Sequence, residues 1–159
     1  MPEKAAGPEK AARSVAIGAG TDVVLSFLSD VETLPLWASF YQRRLGREDG
    51  GVRFATPIGE SLTHLETEHS PNGGQVTIVS AFAARVERAR LLVEPAAPGS
   101  DQGSAQGSVV TFIITFPDHV FLERRTAILT KLEGELGHLR TLLEQDVLAV
   151  RGPVAEAVG

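Results

Sequence analysis

The sequence contains no cysteine among its 159 residues, and it has only one tryptophan and one tyrosine. The absence of cysteine excludes disulfide bonds and thiolate catalysis. No run of about 18 apolar residues occurs, which excludes a membrane-spanning helix. The first residues also lack the apolar segment of a secretory signal peptide. We therefore expect a cytoplasmic protein.

An excess of basic residues is also missing. The chain has 15 basic and 20 acidic side chains and a formal net charge of −5, which argues against nucleic acid as its main partner. With 43% apolar residues, its length suits one globular domain with a core of its own. We expect this domain at residues 13–148, between a disordered N-terminal tail (1–12) and a flexible C-terminal tail (149–159).

Apolar residues recur at helical spacing near both ends of the chain. Residues 13–19 indicate a first strand, and two short helical segments follow at 21–30 and 31–39. The last element is a long amphipathic helix over roughly 119–148. Between these regions the pattern has a period of two, which predicts six strands at 40–47, 52–57, 60–69, 75–83, 85–94 and 109–116.

The turns between these strands are short. "EDGG", "PIGE" and "PNGG" separate the first four of them and predict hairpins with four-residue loops. Consecutive strands joined in this way form a meander, and the long helix must bury its apolar face against that sheet. The sequence therefore predicts an α+β fold, with a strongly curved seven-stranded antiparallel sheet wrapped around the C-terminal helix. A cavity between sheet and helix is expected.

The stretch "FLSDVETLPLWASFYQRRLG" (27–46) resembles the START/Bet v1-like superfamily, the helix-grip proteins that include polyketide cyclase/dehydrase-like proteins. "GGVRFATPIGESLTHLE" (50–66) is similar to their next hairpin, and residues 108–144 are similar to their closing strand and helix. The sequence departs from the family pattern at Thr33, where asparagine is frequent, and in the long 95–108 loop. The resemblance implies a pocket for a hydrophobic ligand of lipid or polyketide type.

Alternation assigns each strand residue to one face of the sheet. With four-residue loops, the more apolar face carries Tyr41, Arg43, Leu45, Val52, Phe54, Thr63, Leu65, Thr67, His69, Val76, Ile78, Ser80 and Phe82, and we assign it to the cavity. In the strand at 85–94 two faces remain possible, because either choice places charge on the inner side. The expected ligand-binding residues are Trp37, Phe54, Leu65, Thr67, Ile78, Ser80, Phe82, Phe112, Ile128 and Leu132.

The segment "LTHLETEHS" (62–70) concentrates histidine and glutamate in one strand. His64, Glu66 and Glu68 fall on the outer face, beside Arg53 and Arg44. They are expected to form a charged sheet surface, because a metal site would lack its third ligand. We expect neither a metal nor a cofactor.

His69 falls on the inner face, as do Tyr41 and Arg43. These three predict either a catalytic group, with histidine as base and tyrosine or arginine polarising a carbonyl, or merely polar groups at the rim of the pocket.

Motifs for other chemistries are incomplete. "GAGT" (18–21) has Val23 where a dinucleotide loop needs its third glycine, and "ELGH" (135–138) occurs once where a carboxylate-bridged metal site needs two copies. Two functional hypotheses follow: cofactor-free cyclisation or dehydration of a polyketide-like ligand, and a non-enzymatic carrier or sensor of lipids. We expect a monomer or a homodimer.

Overall fold

The computed structural model describes residues 9–96, 107–116 and 122–158, with side chains described for 10–96, 107–115 and 125–145. The strands are β1 (Glu9–Ile17), β2 (Arg43–Glu48), β3 (Gly51–Thr56), β4 (Gly59–Ser70), β5 (Gly73–Ala81), β6 (Val86–Pro95) and β7 (Ser108–Phe116). The helices are α1 (Thr21–Leu28), α2 (Leu34–Trp37) and α3 (Leu122–Val158), with a 3-10 turn at Val31–Thr33.

All seven strands form one curved antiparallel sheet in the order β1-β7-β6-β5-β4-β3-β2. The predicted helix-grip arrangement, with two short helices after the first strand and a long C-terminal helix, is confirmed. No helix in the described part of the chain is both long and apolar enough to cross a bilayer.

Both ends of the fold extend further than the sequence predicts. β1 begins at Glu9 because it pairs with β7 over its full length, so residues 9–12 lie in the sheet rather than in a tail. Residues 1–8 of the predicted tail lie outside the described residues. α3 continues to Val158, through the segment expected to be a flexible tail. Its three alanines in this segment favour a helix, whereas Gly152 and Pro153 disfavour one.

The hairpin loops have two residues rather than four. Thr56 pairs with Gly59, and Ser70 pairs with Gly73. The predicted pairings of β3 with β4 and of β4 with β5 are therefore wrong by two positions. Because side chains alternate with a period of two, this shift leaves every residue of β3, β4 and β5 on its predicted face.

A β-bulge in β2 reverses one predicted face. Arg47 pairs with Val52 as expected, but the register shifts between Arg44 and Gly46, and beyond it Arg43 pairs with Ala55. Ala55 lies on the outer face, so the prediction that Arg43 points into the interior is wrong. One extra residue changes the side on which the preceding residues of that strand point, and no turn signal in the sequence marks it.

Helix α1 covers the end of the sheet at the β4–β5 hairpin. Its buried side chains are Val24, Leu25 and Leu28, at helical spacing. Leu25 packs directly over Gly74, where an added Cβ would lie 2.6 Å from the Leu25 Cδ1. Glycine at this position therefore permits the helix to approach β5 closely.

Helix α3 closes the core from the concave side of the sheet. Leu132, Leu136, Leu139 and Leu143 form its buried face, at intervals of three and four residues. Its C-terminal half is tied to the end of β1, where the Glu144 carboxylate accepts a hydrogen bond from the backbone N–H of Gly18 at 2.9 Å. The earlier part of α3 therefore lies over the opposite end of the sheet.

Candidate functional site

The charged surface of β4 is exposed to solvent as expected, but its residues do not pair with the expected arginines. His64 and Glu66 are both solvent-exposed, and their Nε2 and Oε2 atoms lie 3.1 Å apart. The arginines expected beside them bind elsewhere, because Arg53 pairs with Glu48 and Glu60, and Arg44 pairs with Glu32. Within the described residues, no group of three potential metal ligands occurs.

His69 lies at the β4–β5 hairpin, opposite Gly74, and it is exposed. Two solvent-open grooves of about 670 and 710 Å³ meet at this hairpin, and His69 lines both of them. Thr63, which lies beside Ser80 in the sheet, is six residues away along β4, or about 20 Å at about 3.3 Å per residue. The structure therefore does not bring His69 together with Tyr41 and Arg43.

The end of the interior far from this hairpin contains a row of four buried hydroxyl groups. Ser61 Oγ lies 2.9 Å from Thr63 Oγ1, which lies 3.0 Å from Ser80 Oγ. Ser80 Oγ in turn lies 2.7 Å from the Tyr41 hydroxyl. Tyr41 is 8% exposed, and the other three are 0 to 2% exposed. We call these four residues the hydroxyl row.

Tyr41 is neutral at physiological pH. Burial raises the pKa of its hydroxyl to about 12, against the opposing effect of the hydrogen bond with Ser80, and the charges of Glu87 and Glu135 raise it further. Phe40 and Phe54 enclose the ring in edge-to-face contacts. A phenol held in this way donates a hydrogen bond but does not act as a base.

The two glutamates that affect Tyr41 lie on different elements. Glu87 lies on β6 opposite Ser80, so it shares the inner face, and its carboxylate binds Arg85 at 2.8 Å. Glu135 on α3 accepts hydrogen bonds from the backbone N–H of Ser39, at 2.9 Å, and from the Ser39 hydroxyl. The register also resolves the two possibilities for β6, because its inner face carries Glu87, Ala89, Leu91 and Val93.

Trp37 carries a buried hydrogen-bond donor without a partner. Its side chain is 2% exposed and packs edge-to-face on Phe112, with the ring centres 6.0 Å apart. The indole Nε1 finds no hydrogen-bond acceptor among the described residues. An unpaired polar group of this kind costs about 1–3 kcal/mol, so an acceptor supplied by a bound molecule would stabilise the site.

Apolar side chains remain partly exposed at the end of the interior that contains the hydroxyl row. Ala89 and Ile114 lie on neighbouring strands, and Ile128 lies one turn before the buried Leu132 on α3. Phe40 and Phe82 contact each other edge-to-face beside Tyr41, with ring centres 6.2 Å apart. We call this set the open end: Phe40, Phe82, Ala89, Ile114, Ile128 and Leu129.

The other predicted ligand-binding residues lie in different parts of the interior. One group is fully packed in the core: Phe54, Ile78, Phe112 and Leu132. Leu65 packs against that core and is partly buried, and the Thr67 hydroxyl donates to the Ser29 hydroxyl at 3.0 Å. Phe82 and Ile128 belong to the open end, and Ser80 to the hydroxyl row.

Sequence reasoning did not select Ser61, Thr63, Glu87 or Glu135 as site residues. A signal for the first two is present, because strand alternation places Ser61 and Thr63 on the same face of β4 as Leu65. Glu87 depended on the register of β6, and Glu135 on the orientation of α3. No sequence pattern fixes either of these.

No protein-family model matches this chain, and no curated protein matches it. Solved structures do match. The protein XoxI from Bacillus cereus shares 15% identity over 84% of this chain and 94% of its own, with a TM-score of 0.60. A point mutant of norcoclaurine synthase from Thalictrum flavum, in complex with a transition-state analogue, shares 10% over 91% and 99%, with a TM-score of 0.59.

A START superfamily protein from Mycobacterium smegmatis shares 16% identity over 91% of this chain and 99% of its own, with a TM-score of 0.54. This chain has the helix-grip fold of the START and Bet v1-like proteins. The superfamily resemblance expected from the sequence is confirmed at the level of the fold. At such low identities the likeness carries no information about the ligand, so the function must be argued from the site itself.

Proposed function

We propose that this protein binds a small hydrophobic molecule, of polyketide or lipid type, between the sheet and α3 at the open end. The observation that carries the proposal is the buried indole N–H of Trp37, for which the described part of the chain supplies no acceptor. Native proteins pair nearly all such groups. The partly exposed apolar side chains of the open end supply the surface that a hydrophobic body would cover.

The polar residues at the open end suit a ligand that carries an oxygen atom. The hydroxyl row ends at Tyr41, which burial keeps neutral. A mostly apolar pocket with a few fixed polar groups is the usual form of a small-molecule site, because the apolar area provides affinity and the polar groups provide orientation. We infer that the ligand combines an apolar skeleton with at least one polar oxygen.

Trp37, as the only tryptophan, gives a direct test. Binding of a naphthalene-type ketone at the open end should change its emission, and native mass spectrometry of protein purified from its host should show a bound small molecule. Ala89→Leu should weaken binding about tenfold by filling the open end. Ala16→Leu, which changes an exposed alanine of β1, should leave binding unchanged. Equal effects of the two variants would exclude the open end as the site.

Catalysis is the second candidate function, and Glu87 is the observation that favours it. Its carboxylate lies on the inner face opposite Ser80, close enough to raise the pKa of Tyr41. In this mechanism Glu87 removes a proton from the carbon beside a carbonyl, and Tyr41 donates a hydrogen bond to the enolate oxygen. The enolate carbon then attacks a second carbonyl, and the alkoxide formed takes the proton back from Glu87. Loss of water completes the cyclisation.

Turnover separates the enzyme from a carrier or sensor. A linear polyketone substrate should cyclise with release of water in the presence of the wild-type protein, and Glu87→Gln should abolish this reaction while ligand affinity persists. Retained turnover in Glu87→Gln would remove this residue as the base. Binding without any turnover across a panel of such substrates would leave the carrier or sensor function.

A further inference from the structure

The outer face of the sheet, on the side away from α3, carries two stripes of opposite charge. The acidic stripe lies on β4 and contains Glu66 and Glu68. The basic stripe lies on β6 and contains Arg88 and Arg90. Between them runs β5, the middle strand of the seven. Glu66 and Arg90 flank the same β5 residue, Thr77, so their Cα atoms are two strands apart, or about 10 Å at about 4.8 Å per strand.

Neither stripe is neutralised within the described part of the chain. Glu66 lies 3.1 Å from a histidine ring, and Glu68 has no ion pair among the described residues. Arg90 lies 3.5 Å from the amide oxygen of Gln75, and neither Arg88 nor Arg90 pairs with a described carboxylate. Both stripes are therefore available to another surface.

Apolar side chains accompany the charges on this face. Leu62, Ala81 and Val86 form one row across β4, β5 and β6. Val86 is 53% exposed, which is unusual for a large apolar side chain. Val79, the next outward residue of β5, is buried although it does not belong to the interior core. The face thus combines an apolar row with unpaired charges, as protein interfaces do.

We propose that a second copy of this chain packs on this face, related to the first by a two-fold axis parallel to β5. Rotation about this axis exchanges the two sides of the sheet, so β4 of each copy faces β6 of the other. Glu66 then faces Arg90 of the partner subunit. Each row keeps its position along the strands, so Leu62 faces Val86 of the partner subunit. Both contacts occur twice, as two-fold symmetry requires.

The other two-fold axis that would bring these faces together is unfavourable. An axis perpendicular to β5 would place β4 against β4 and β6 against β6, so each stripe would meet its own charge. Like charges across an interface disfavour such an arrangement. The pattern of charge therefore selects one symmetric dimer, with the strands of the two sheets running in the same direction.

The curvature of the sheet limits the strength of this dimer. Because the outer face is convex, only the middle strands meet, and three strands of about nine residues cover about 400 Å² on each copy. A standard interface covers about 800 Å² on each partner. We expect a dissociation constant of about 100 μM at low salt, because so small an interface is weak. The constant should rise about tenfold at high salt, since exposed charges are screened.

Charge reversal followed by sedimentation velocity tests the pairing. Glu66→Arg and Arg90→Glu should each weaken the dimer about a hundredfold, because symmetry repeats every repulsive contact. The double variant Glu66→Arg/Arg90→Glu should recover the wild-type constant within about threefold. Lys131→Glu is the matched control, because it makes the same change in net charge as Arg90→Glu at an exposed position of α3. It should leave the dimer unchanged.

A mixture of the two single variants gives the sharpest result. Each contact in the mixed dimer joins an arginine to a glutamate, so two monomeric proteins should form heterodimers, which also shows that both are folded. Failure of both the mixture and the double variant to dimerise would overturn the proposal. Dimers that persist in both single variants would place the interface elsewhere, for example at an open edge of the sheet. A wild-type protein that stays monomeric up to about 1 mM would leave this face to a different protein.

Discussion

The two ends of the interior differ in how completely their side chains are packed. Near the β4–β5 hairpin, Val76, Leu91, Val93, Val110, Leu139 and Leu143 are all no more than 1% exposed. At the open end, Ala89, Ile114 and Ile128 remain partly exposed beside the hydroxyl row. Both ends lie under the same helix and on the same sheet, so the fold alone does not account for the difference.

The difference shows which part of the chain is free to serve a function. A closely packed core contributes stability and leaves no room for a guest. The open end keeps apolar surface in contact with water, and the buried Trp37 donor finds no acceptor among the described residues; both features cost stability. Proteins accept such costs at sites where a ligand removes them. The predictions below test this comparison, from the largest expected effect to the smallest.

Truncation of single side chains on α3 should give the largest difference in stability between the two ends of the interior. Leu139→Ala, at the closely packed end near the β4–β5 hairpin, should lower the free energy of unfolding by about 3 kcal/mol, because it creates a cavity in a packed core. Ile128→Ala at the open end should cost about 1 kcal/mol, since its side chain is already partly exposed. Urea denaturation followed by Trp37 fluorescence measures both. Equal losses would mean that the open end is packed as closely as the rest.

Alkaline pH should destabilise the fold through Tyr41. Its pKa is 10 in the unfolded chain and about 12 in the folded one, so the folded state holds the proton more tightly. The stability contribution is fully present below about pH 10 and is lost as the pH rises toward 12, by about 2–3 kcal/mol in total. Tyr41→Phe should lack this step.

Unfolding free energies of the two proteins, measured from about pH 9 to 11.5, check this expectation, and tyrosinate absorbance reports the ionisation directly. A phenol that ionises near pH 10 in the folded protein would show that the hydroxyl row is open to water.

Loss of the indole N–H should affect only ligands that carry an acceptor. Trp37→Phe keeps an aromatic ring against Phe112 and removes the unpaired donor. Binding of acetylnaphthalene, which carries a carbonyl acceptor, should weaken about fivefold, whereas ethylnaphthalene, which has nearly the same shape and no acceptor, should bind as before. Calorimetry is the appropriate measurement, because this variant has no tryptophan. Equal losses of affinity for both probes would mean that Trp37 contributes only to the shape of the site.

Sequence reasoning predicted the fold well and the site only in part, for physical reasons. The faces of β3, β4 and β5 were predictable because the buried face must be apolar, and a shift of two residues preserves it. Arg43 was misplaced because a bulge obeys no period. Alternation also placed His69 on the inner face, but it could not show that this end of β4 is exposed to solvent at the hairpin.

The smallest effect is expected at His69, and it tests the comparison at the opposite end of β4. This residue is exposed at the hairpin, about 20 Å from Thr63 by the rise of the strand. His69→Ala should therefore change neither ketone affinity nor turnover, and the unfolding free energy should stay within about 0.5 kcal/mol. Tyr41→Phe, measured in parallel, should weaken ketone binding, because it removes one hydroxyl of the hydroxyl row. If His69→Ala reduced turnover while Tyr41→Phe did not, the functional end of the interior would be the hairpin end, and the open end would be only a gap in the packing.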